Sequence, residues 1–260
     1  MKFSCLGSGS DGNALLICAA SGITRTTVML DCGFGLRETE RRLIRLGMTP
    51  GDLSGIVVTH EHQDHVGGVF TLARRHRIPV WLSYGTYRAV RHKCEGVELH
   101  FCRDGDRFSI GDLCLSPYTV PHDAREPLQY VATDGNSTLG VLTDAGQSTP
   151  HLVRALDRCD GIFLECNHDK AMLVDSSYPY SLKKRIGGDY GHLSNETASG
   201  ILREIDKSHL KRLVGGHLSL QNNTPALALA ALMRGLDGHR AEVTVACQQD
   251  GFDWIDLSPV

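Results

Sequence analysis

A run of six residues, His60–His65 (HEHQDH), contains three histidines and two acidic residues. Imidazole is the commonest metal-binding side chain in proteins, and carboxylates complete many such sites. Side chains two positions apart in an extended segment point the same way, so His60 and His62 can hold one cation. If the chain turns into a helix directly afterwards, Asp64 and His65 can face a second cation. The run therefore predicts a metal site that activates water, whereas a solvated polar loop does not explain so many imidazoles.

A buried strand over Gly55–Thr59 is predicted to lead into this run, and a helix over Val66–His76 to follow it. The pair Gly67-Gly68 would permit close approach of the backbone there. Further strands are predicted at Lys2–Leu6, Ala14–Cys18, Thr27–Asp31, Pro79–Ser83, Gly161–Glu165, Leu210–Gly215, Val243–Ala246 and Phe252–Leu257, with short strands and Gly-Asp turns from Val97 to Thr143. Further helices are predicted at Leu36–Gly47, Thr86–His92, Asn195–Ile205 (with Ser194 as N-cap) and Pro225–Gly235.

Two short segments resemble each other: Leu30–Gly33 (LDCG) and Thr143–Gly146 (TDAG). Each is followed, some way along the chain, by a strand that ends in polar residues. Two similar halves would give a sandwich of two mixed sheets with helices outside, and chance similarity of short motifs is the alternative. Because α/β folds of this length often form one unit, we expect a single domain over residues 1–260.

The composition is that of a globular protein, with 41% hydrophobic and 22% charged residues. A net charge of −3 is not typical of strong nucleic-acid binders, which are usually basic. The chain could still carry a local basic patch. The nine cysteines are odd in number and form no CxxC pair, which favours reduced thiols and a cytoplasmic location. No signal-peptide pattern or long apolar run is present, so we expect no membrane contact.

The motif Thr-His-x-His-x-Asp-His after a buried strand resembles the signature of the metallo-β-lactamase-fold hydrolases. Four further segments resemble the WalJ/YycJ branch, which is similar to the tRNase Z-type nucleases: Leu6–Asn13, Glu165–Asp169, Gly191–Asn195 and His217–Asn223. The resemblance implies an αββα four-layer sandwich of the α/β class. It also implies a metal-dependent phosphodiesterase, a 5′ to 3′ exonuclease acting on DNA in DNA repair, with nucleic acid as its partner.

The resemblance also implies a set of metal ligands. A first divalent ion would be bound by His60, His62 and His122, a second by Asp64, His65 and His217, and Asp144 would bridge the two. His192 is an alternative to His217 in the second set. The ions would be Zn²⁺ or Mn²⁺, with iron also open, because geometry and supply decide metal identity as much as ligand type does. Asp31 would support the ligating histidines without touching metal.

Two further residues, Glu165 and His192, are implied as a general-acid pair that protonates the departing sugar oxygen. The alternative is that His192 only precedes a helix cap and that Glu165 is a surface acid. Asp64 or Asp144 would orient the attacking hydroxide.

Substrate contacts are expected from polar residues in three of these segments. The loop Ser8–Asn13 could donate N–H groups and hydroxyls to a phosphate, or it could be an ordinary glycine-rich turn. Residues after His217 could form an anion site at the start of the helix at Pro225. The expected substrate-binding residues are Ser8, Ser10, Asn13, Asn167, His168, Ser219 and Asn222.

Three other functions fit parts of the pattern. A small-molecule ester, thioester or lactone hydrolase could use the same fold, since fold does not fix substrate. A redox di-iron protein would carry Glu in place of His62. A non-catalytic metal-binding module would not need a complete ligand set. Assembly into a homo-oligomer stays open.

Overall fold

A computed structural model describes residues 1–257 of the chain. Within that range fourteen strands form two seven-stranded sheets. The first sheet contains β1 (Lys2–Gly7), β2 (Ala14–Ser21), β3 (Thr24–Leu30), β4 (Gly55–Val57), β5 (Val80–Leu82), β6 (Leu99–Phe101) and β14 (Phe252–Asp256). The second contains β7 (Phe108–Ile110), β8 (Leu113–Thr119), β9 (Leu128–Thr133), β10 (Thr138–Leu142), β11 (Gly161–Glu165), β12 (Arg212–Gly216) and β13 (Glu242–Val245).

Helices connect the strands and cover the outer faces of both sheets. In chain order they are α1 (Leu36–Arg45), α2 (Gln63–Val66), α3 (Val69–His76), α4 (Tyr84–Val90), α5 (Pro150–Leu156), α6 (Lys170–Asp175), α7 (Tyr180–Ile186), α8 (Asn195–Glu204) and α9 (Pro225–Leu236). Short 3₁₀ turns span Pro50–Asp52 and Arg91–Lys93. Among the described residues, no helix is both long and apolar enough to cross a bilayer.

The two sheets repeat one strand arrangement. The orders are β14-β1-β2-β3-β4-β5-β6 and β13-β12-β11-β10-β9-β8-β7. Pairing is antiparallel up to β3 and parallel beyond it in the first sheet. It changes in the same way at β10 in the second sheet. Asp31 follows β3 and Asp144 follows β10, both with left-handed backbones (φ 60° and 51°). The similarity of the two sequence segments is therefore structural.

Three apolar clusters define four layers. The central cluster joins the facing surfaces of the sheets and includes Phe3, Leu30, Tyr130 and Phe163. A second packs the first sheet against α1 and α3, and a third packs the second sheet against α5, α8 and α9. The expected αββα sandwich is confirmed. Because one continuous cluster holds both sheets, we infer a single domain.

The helical segments around the run His60–His65, here called the metal-binding run, differ from the prediction. The predicted helix over Val66–His76 is wrong at its start, because one helical turn begins at Gln63 and a second helix begins at Val69. Gly68 separates them: its N–H donates to the carbonyl of Cys32 at 2.8 Å, and a Cβ there would overlap the carbonyl of Phe34. The interruption ties the run to the loop that follows β3.

Three helices in the second half were not predicted. They are the short helices α5, α6 and α7, of six or seven residues each. Such lengths contain less than two turns, so an apolar stripe has little room to show. Thr149 before Pro150 is an N-cap signal that could have located α5, and its side chain accepts from Leu152 N–H. Elsewhere the predicted N-cap Ser194 accepts from Thr197 N–H at 3.1 Å, as expected.

Candidate metal centre

Three imidazole nitrogens converge at one point between the sheets. His60 Nε2 lies 3.0 Å from His62 Nδ1, which lies 3.2 Å from His122 Nε2. His60 and His122 are buried, and the side chain of His62 is 27% exposed, so the group can be reached from solvent. Nitrogens aimed at a common point are the arrangement that a cation requires.

Strand ends position these rings. His60 comes three residues after β4, and His122 comes three residues after β8. Nδ1 of His122 lies 2.9 Å from the carbonyl oxygen of Gly191, to which it can donate. That hydrogen bond fixes the ring and turns Nε2 toward the other two histidines.

A second group of donors adjoins the first. Asp64 Oδ2 lies 3.3 Å from His65 Nε2 and 3.5 Å from His217 Nε2. Asp144 lies between the two groups, with Oδ2 at 3.1 Å from His65 Nε2 and Oδ1 at 4.0 Å from His122 Nε2. All seven residues expected as metal ligands are thus brought together.

The donor set fits divalent cations. Asp144 Oδ2 and His217 Nε2 are buried, yet neither has a hydrogen-bond partner of acceptable geometry among the described residues. Buried polar atoms normally have a hydrogen-bond partner, so we expect these two atoms to contact a further group. Imidazole nitrogens and carboxylate oxygens suit Zn²⁺ and Mn²⁺.

The carboxylates in this buried site favour positively charged groups beside them. Burial lowers the pKa of His65, but the carboxylates of Asp144, Asp31 and Asp64 outweigh it and raise that pKa well above 6.5. His217 is likewise raised, to a pKa of about 10, against the effect of burial. Burial opposes ionisation of Asp144, yet His217 and His65 hold its pKa well below the usual range. Protons on these rings are what a metal ion would displace.

Asp31 supports the metal-binding run from behind. Its Oδ2 lies 2.8 Å from His65 Nδ1 and accepts from Thr59 Oγ1 at 2.8 Å, while Oδ1 accepts from Thr59 N–H at 2.8 Å. Thr59 Oγ1 in turn lies 2.9 Å from His60 Nδ1. These contacts hold the Nε2 atoms of His65 and His60 toward the cluster.

Glu165 is shared by two histidines. Its Oε1 lies 2.8 Å from His192 Nδ1 and 3.1 Å from His217 Nδ1. Its Oε2 accepts from the N–H groups of Ala145 and Leu193, both at 3.0 Å. Glu165 is fully buried, and although burial opposes ionisation, the charge of His192 and the hydrogen bonds to His192 and His217 bring the pKa of Glu165 to about 2. Glu165 is therefore not a surface acid.

The same contacts distinguish His217 from His192, the two candidate ligands of the second metal ion. His217 directs Nε2 toward Asp64, and its side chain is 2% exposed. His192 directs Nδ1 toward Glu165 and is 21% exposed. We infer that His217 completes the metal centre and that His192 faces the substrate side.

Two residues of the glycine-rich loop are buried against the centre. Ser8 Oγ accepts from His217 N–H at 2.7 Å, and Asn13 Nδ2 donates to Asp64 Oδ2 at 3.2 Å. Both side chains therefore position residues of the candidate metal centre, and only Ser10 of the three expected residues in this loop is exposed. Gln248 holds the loop from the far end of the chain, accepting from Asp11 N–H at 3.0 Å.

The other expected substrate residues are also mostly buried. Asn167 Nδ2 donates to the carbonyl of His217 at 3.0 Å, so it positions that segment. His168 and Asn222 are buried and have side-chain polar atoms without hydrogen-bond partners among the described residues. Ser219 is partly exposed, and its Oγ accepts from Asn222 N–H at 3.1 Å.

Sequence reasoning missed an ion pair at the mouth of the site. Asp123 Oδ1 lies 3.5 Å from His122 Nε2 and 3.7 Å from His62 Nε2. Its Oδ2 accepts from Arg185 Nε at 2.6 Å. The position of Asp123 next to His122 was a usable signal, but no pattern links Arg185, on α7, to the metal-binding run.

Comparison with protein families and curated proteins gives consistent matches. The family described as beta-lactamase superfamily domain matches residues 26–217. The chain is 32% identical to exodeoxyribonuclease YycJ of Bacillus anthracis over 240 residues, covering 91% of this chain and 89% of that protein. It is 30% identical to exodeoxyribonuclease WalJ of Streptococcus pneumoniae over 240 residues, covering 90% and 88%.

Solved structures share the fold at lower sequence identity. The metallo-beta-lactamase fold protein YhfI from Bacillus subtilis has a TM-score of 0.72 at 16% identity, covering 98% of each chain. The short form of human tRNase Z has a TM-score of 0.67 at 15% identity, covering 100% of each chain.

Proposed function

This chain belongs to the beta-lactamase superfamily and, within it, to the WalJ/YycJ branch of metal-dependent hydrolases, and we propose that it is a phosphodiesterase that degrades DNA from the 5′ end. The named relatives of similar length are exodeoxyribonucleases, which supports a nucleic-acid substrate. We further propose that DNA repair is its setting. Its nine free cysteines, seven of them buried, favour the reducing cytoplasm as its location.

The hydrogen bond between Glu165 and His192 carries this proposal. His192 Nδ1 lies 2.8 Å from Glu165 Oε1 and 3.3 Å from Asp144 Oδ1, so the partly exposed ring stands beside the metal centre. Burial lowers the pKa of His192, but Glu165 and Asp144 outweigh it and raise that pKa above 6.5. A protonated imidazole at this place can give its Nε2 proton to a departing alkoxide. Phosphate diesters of sugars need such an acid because an alkoxide leaves poorly.

We propose that the centre binds two divalent ions, Zn²⁺ or Mn²⁺, with iron a further alternative. His60, His62 and His122 would hold one ion, and Asp64, His65 and His217 the other, with Asp144 between them. Such ions, when bound, acidify a water molecule and neutralise charge on a phosphoryl group.

The chain's own residues perform the other tasks. Asp64, 24% exposed, and Asp144 present carboxylate oxygens that can accept a hydrogen bond from the attacking water and orient it. Arg185, 57% exposed and paired with Asp123, places positive charge at the mouth, where a phosphate would approach. Asp31, Ser8 and Asn13 keep the ligand side chains in place.

The direct test is cleavage of end-labelled single- and double-stranded DNA and RNA with Mn²⁺ or Zn²⁺ added. Asp64→Ala serves as the inactive variant, and Asp250→Ala, at an exposed carboxylate that is not part of the cluster, as its matched control. Loss of nucleotides from the 5′ end by wild type and control, but not by Asp64→Ala, is the expected result.

Cleavage of RNA alone, or from the 3′ end, would change the substrate and polarity. Absence of cleavage of every polymer by metal-loaded wild type would overturn the proposal. Esters, thioesters and lactones would then be the substrates to assay.

A further inference from the structure

A cavity lies beside the metal centre, between α6 and α7. Its volume is about 560 Å³, within the range of small-molecule sites. It is lined by apolar, aromatic and cationic residues: His168, Leu173, Val174, Tyr180, Lys170, Lys183, Lys184, Gly187 and Gly188. No carboxylate belongs to this lining, although the chain as a whole is acidic.

The cations of this cavity differ in their roles. Lys183 donates to the carbonyl of Val174 at 2.5 Å and so ties α7 to the end of α6. Lys170 and Lys184 are exposed and project from the two helices on either side. Tyr180, at the first position of α7, has 81% of its surface exposed. An exposed aromatic ring beside two ammonium groups is the combination that binds a base and its backbone phosphates.

A buried polar group also faces this cavity. His168 is 2% exposed, and its Nδ1 has no hydrogen-bond partner among the described residues. A buried nitrogen without a partner, in the lining of a cavity, points to a ligand that supplies the missing contact.

The cavity is connected to the metal centre through one short segment. Gly187 and Gly188 form part of its wall, and the carbonyl of Ile186 accepts from His192 N–H at 2.8 Å. Gly191, next along, binds His122 through its carbonyl. His168 follows Glu165, the last residue of β11, by three positions. A chain lying in the cavity would thus continue directly to the general acid.

We propose that this cavity binds a nucleotide of the single strand whose scissile phosphate lies in the metal centre. The base stacks on Tyr180, and the flanking phosphates contact Lys170 and Lys184. The inference rests on the proposed function, because it assumes a polynucleotide substrate. It adds a local basic subsite to a chain whose overall charge does not suggest nucleic-acid binding.

Binding can be measured without cleavage by using a short phosphorothioate-linked oligothymidylate and fluorescence anisotropy on the metal-loaded protein. Each phosphate contact on a single strand makes the slope of log affinity against log salt more negative by about 0.7. Lys170→Ala/Lys184→Ala should therefore make that slope less negative by about 1.4. The control Arg75→Ala/Arg107→Ala removes the same charge from two exposed positions elsewhere and should leave the slope unchanged.

Tyr180 provides a second, charge-independent test. Tyr180→Ala should weaken binding by about 5-fold or more, and Tyr180→Phe, which keeps the ring, should restore it. Because Tyr180 is exposed, its replacement does not depend on repacking the core. Lysine and tyrosine variants that bind like wild type would overturn the inference.

The two proposals fail separately. If the wild type cleaves DNA but the cavity variants keep the same affinity and KM, the nuclease proposal stands and the subsite is wrong. If the wild type binds the oligonucleotide through the cavity but cleaves no polymer, the cavity binds single strands, whereas the nuclease proposal and the placement of a scissile phosphate in the metal centre are wrong.

Discussion

Asp31 holds Nδ1 of His65 at 2.8 Å, on the side of the ring that faces away from the metal centre. The opposite nitrogen, Nε2, lies 3.1 Å from Asp144. Asp31 and Asp144 occupy equivalent positions after β3 and β10, in the two halves of the fold. The first half of the fold therefore orients the ring of His65. The second half contributes the Asp144 carboxylate, which lies between the two groups of metal-binding candidates.

Replacing Asp31 by Asn should weaken the centre without removing a ligand. An asparagine amide has one oxygen and cannot accept hydrogen bonds from both Thr59 and His65 as the two carboxylate oxygens do. The orientation of His65 is therefore lost. We expect metal affinity or activity to fall about 10- to 100-fold. Metal content after dialysis against a graded chelator measures this, with Asp250→Asn as the control. Unchanged affinity in Asp31→Asn would show that the ring is fixed by packing alone.

His192→Ala should discriminate between substrates by their leaving groups. Without the general acid, hydrolysis of DNA should fall about 10²- to 10⁴-fold. Bis(p-nitrophenyl) phosphate has a leaving group that departs without a proton, so its hydrolysis should fall much less. Parallel kcat/KM measurements on both substrates test this. Equal losses on both would mean that His192 is a metal ligand or a structural residue, not an acid.

Metal affinity should increase with pH. In the metal-free protein, carboxylates raise the pKa of His217 to about 10 despite its burial, so the ring is protonated at neutral pH. A cation must displace that proton, and affinity should rise up to about 10-fold per pH unit for each proton displaced, until the pH reaches the pKa. Chelator competition between about pH 7 and pH 9 measures this. Affinity that is independent of pH would contradict a protonated His217.

Gly33→Ala should damage both stability and the metal centre. A Cβ at this position would overlap the backbone carbonyl of Asp64, which also accepts from Asn13 N–H at 2.8 Å. We expect the free energy of unfolding to fall by about 1–3 kcal/mol and metal affinity to fall with it. Urea denaturation measures the first effect. Gly35→Ala is the matched control, since a Cβ there meets no atom within 4 Å. Equal stability of both variants would mean that the backbone moves freely.

The run His60–His65 was predictable from its residue types and their spacing, whereas His122, Asp144 and Glu165 were predicted through the resemblance to a known family. His60, His122, Asp144 and Glu165 each end or closely follow a strand, and the edge of a sheet brings such ends together. The helical break at Gly68 was not predictable in the same way, although the glycine pair was noted. It depends on a hydrogen bond to Cys32 from another part of the chain. Local pattern shows where a helix can form, but not where a distant carbonyl interrupts it.

By itself the sequence determined the metal-binding run, and its resemblance to a known family indicated the layered fold and the order of the other ligand segments. The run follows from spacing along one strand end and turn, which does not depend on distant residues. Only the tertiary structure decided that Ser8 contacts His217, 209 positions away, and that Glu165 serves two histidines. It also placed Lys170 and Lys184 around one cavity. Such contacts depend on how separate elements pack together, and the local periodicity of the sequence does not predict that packing.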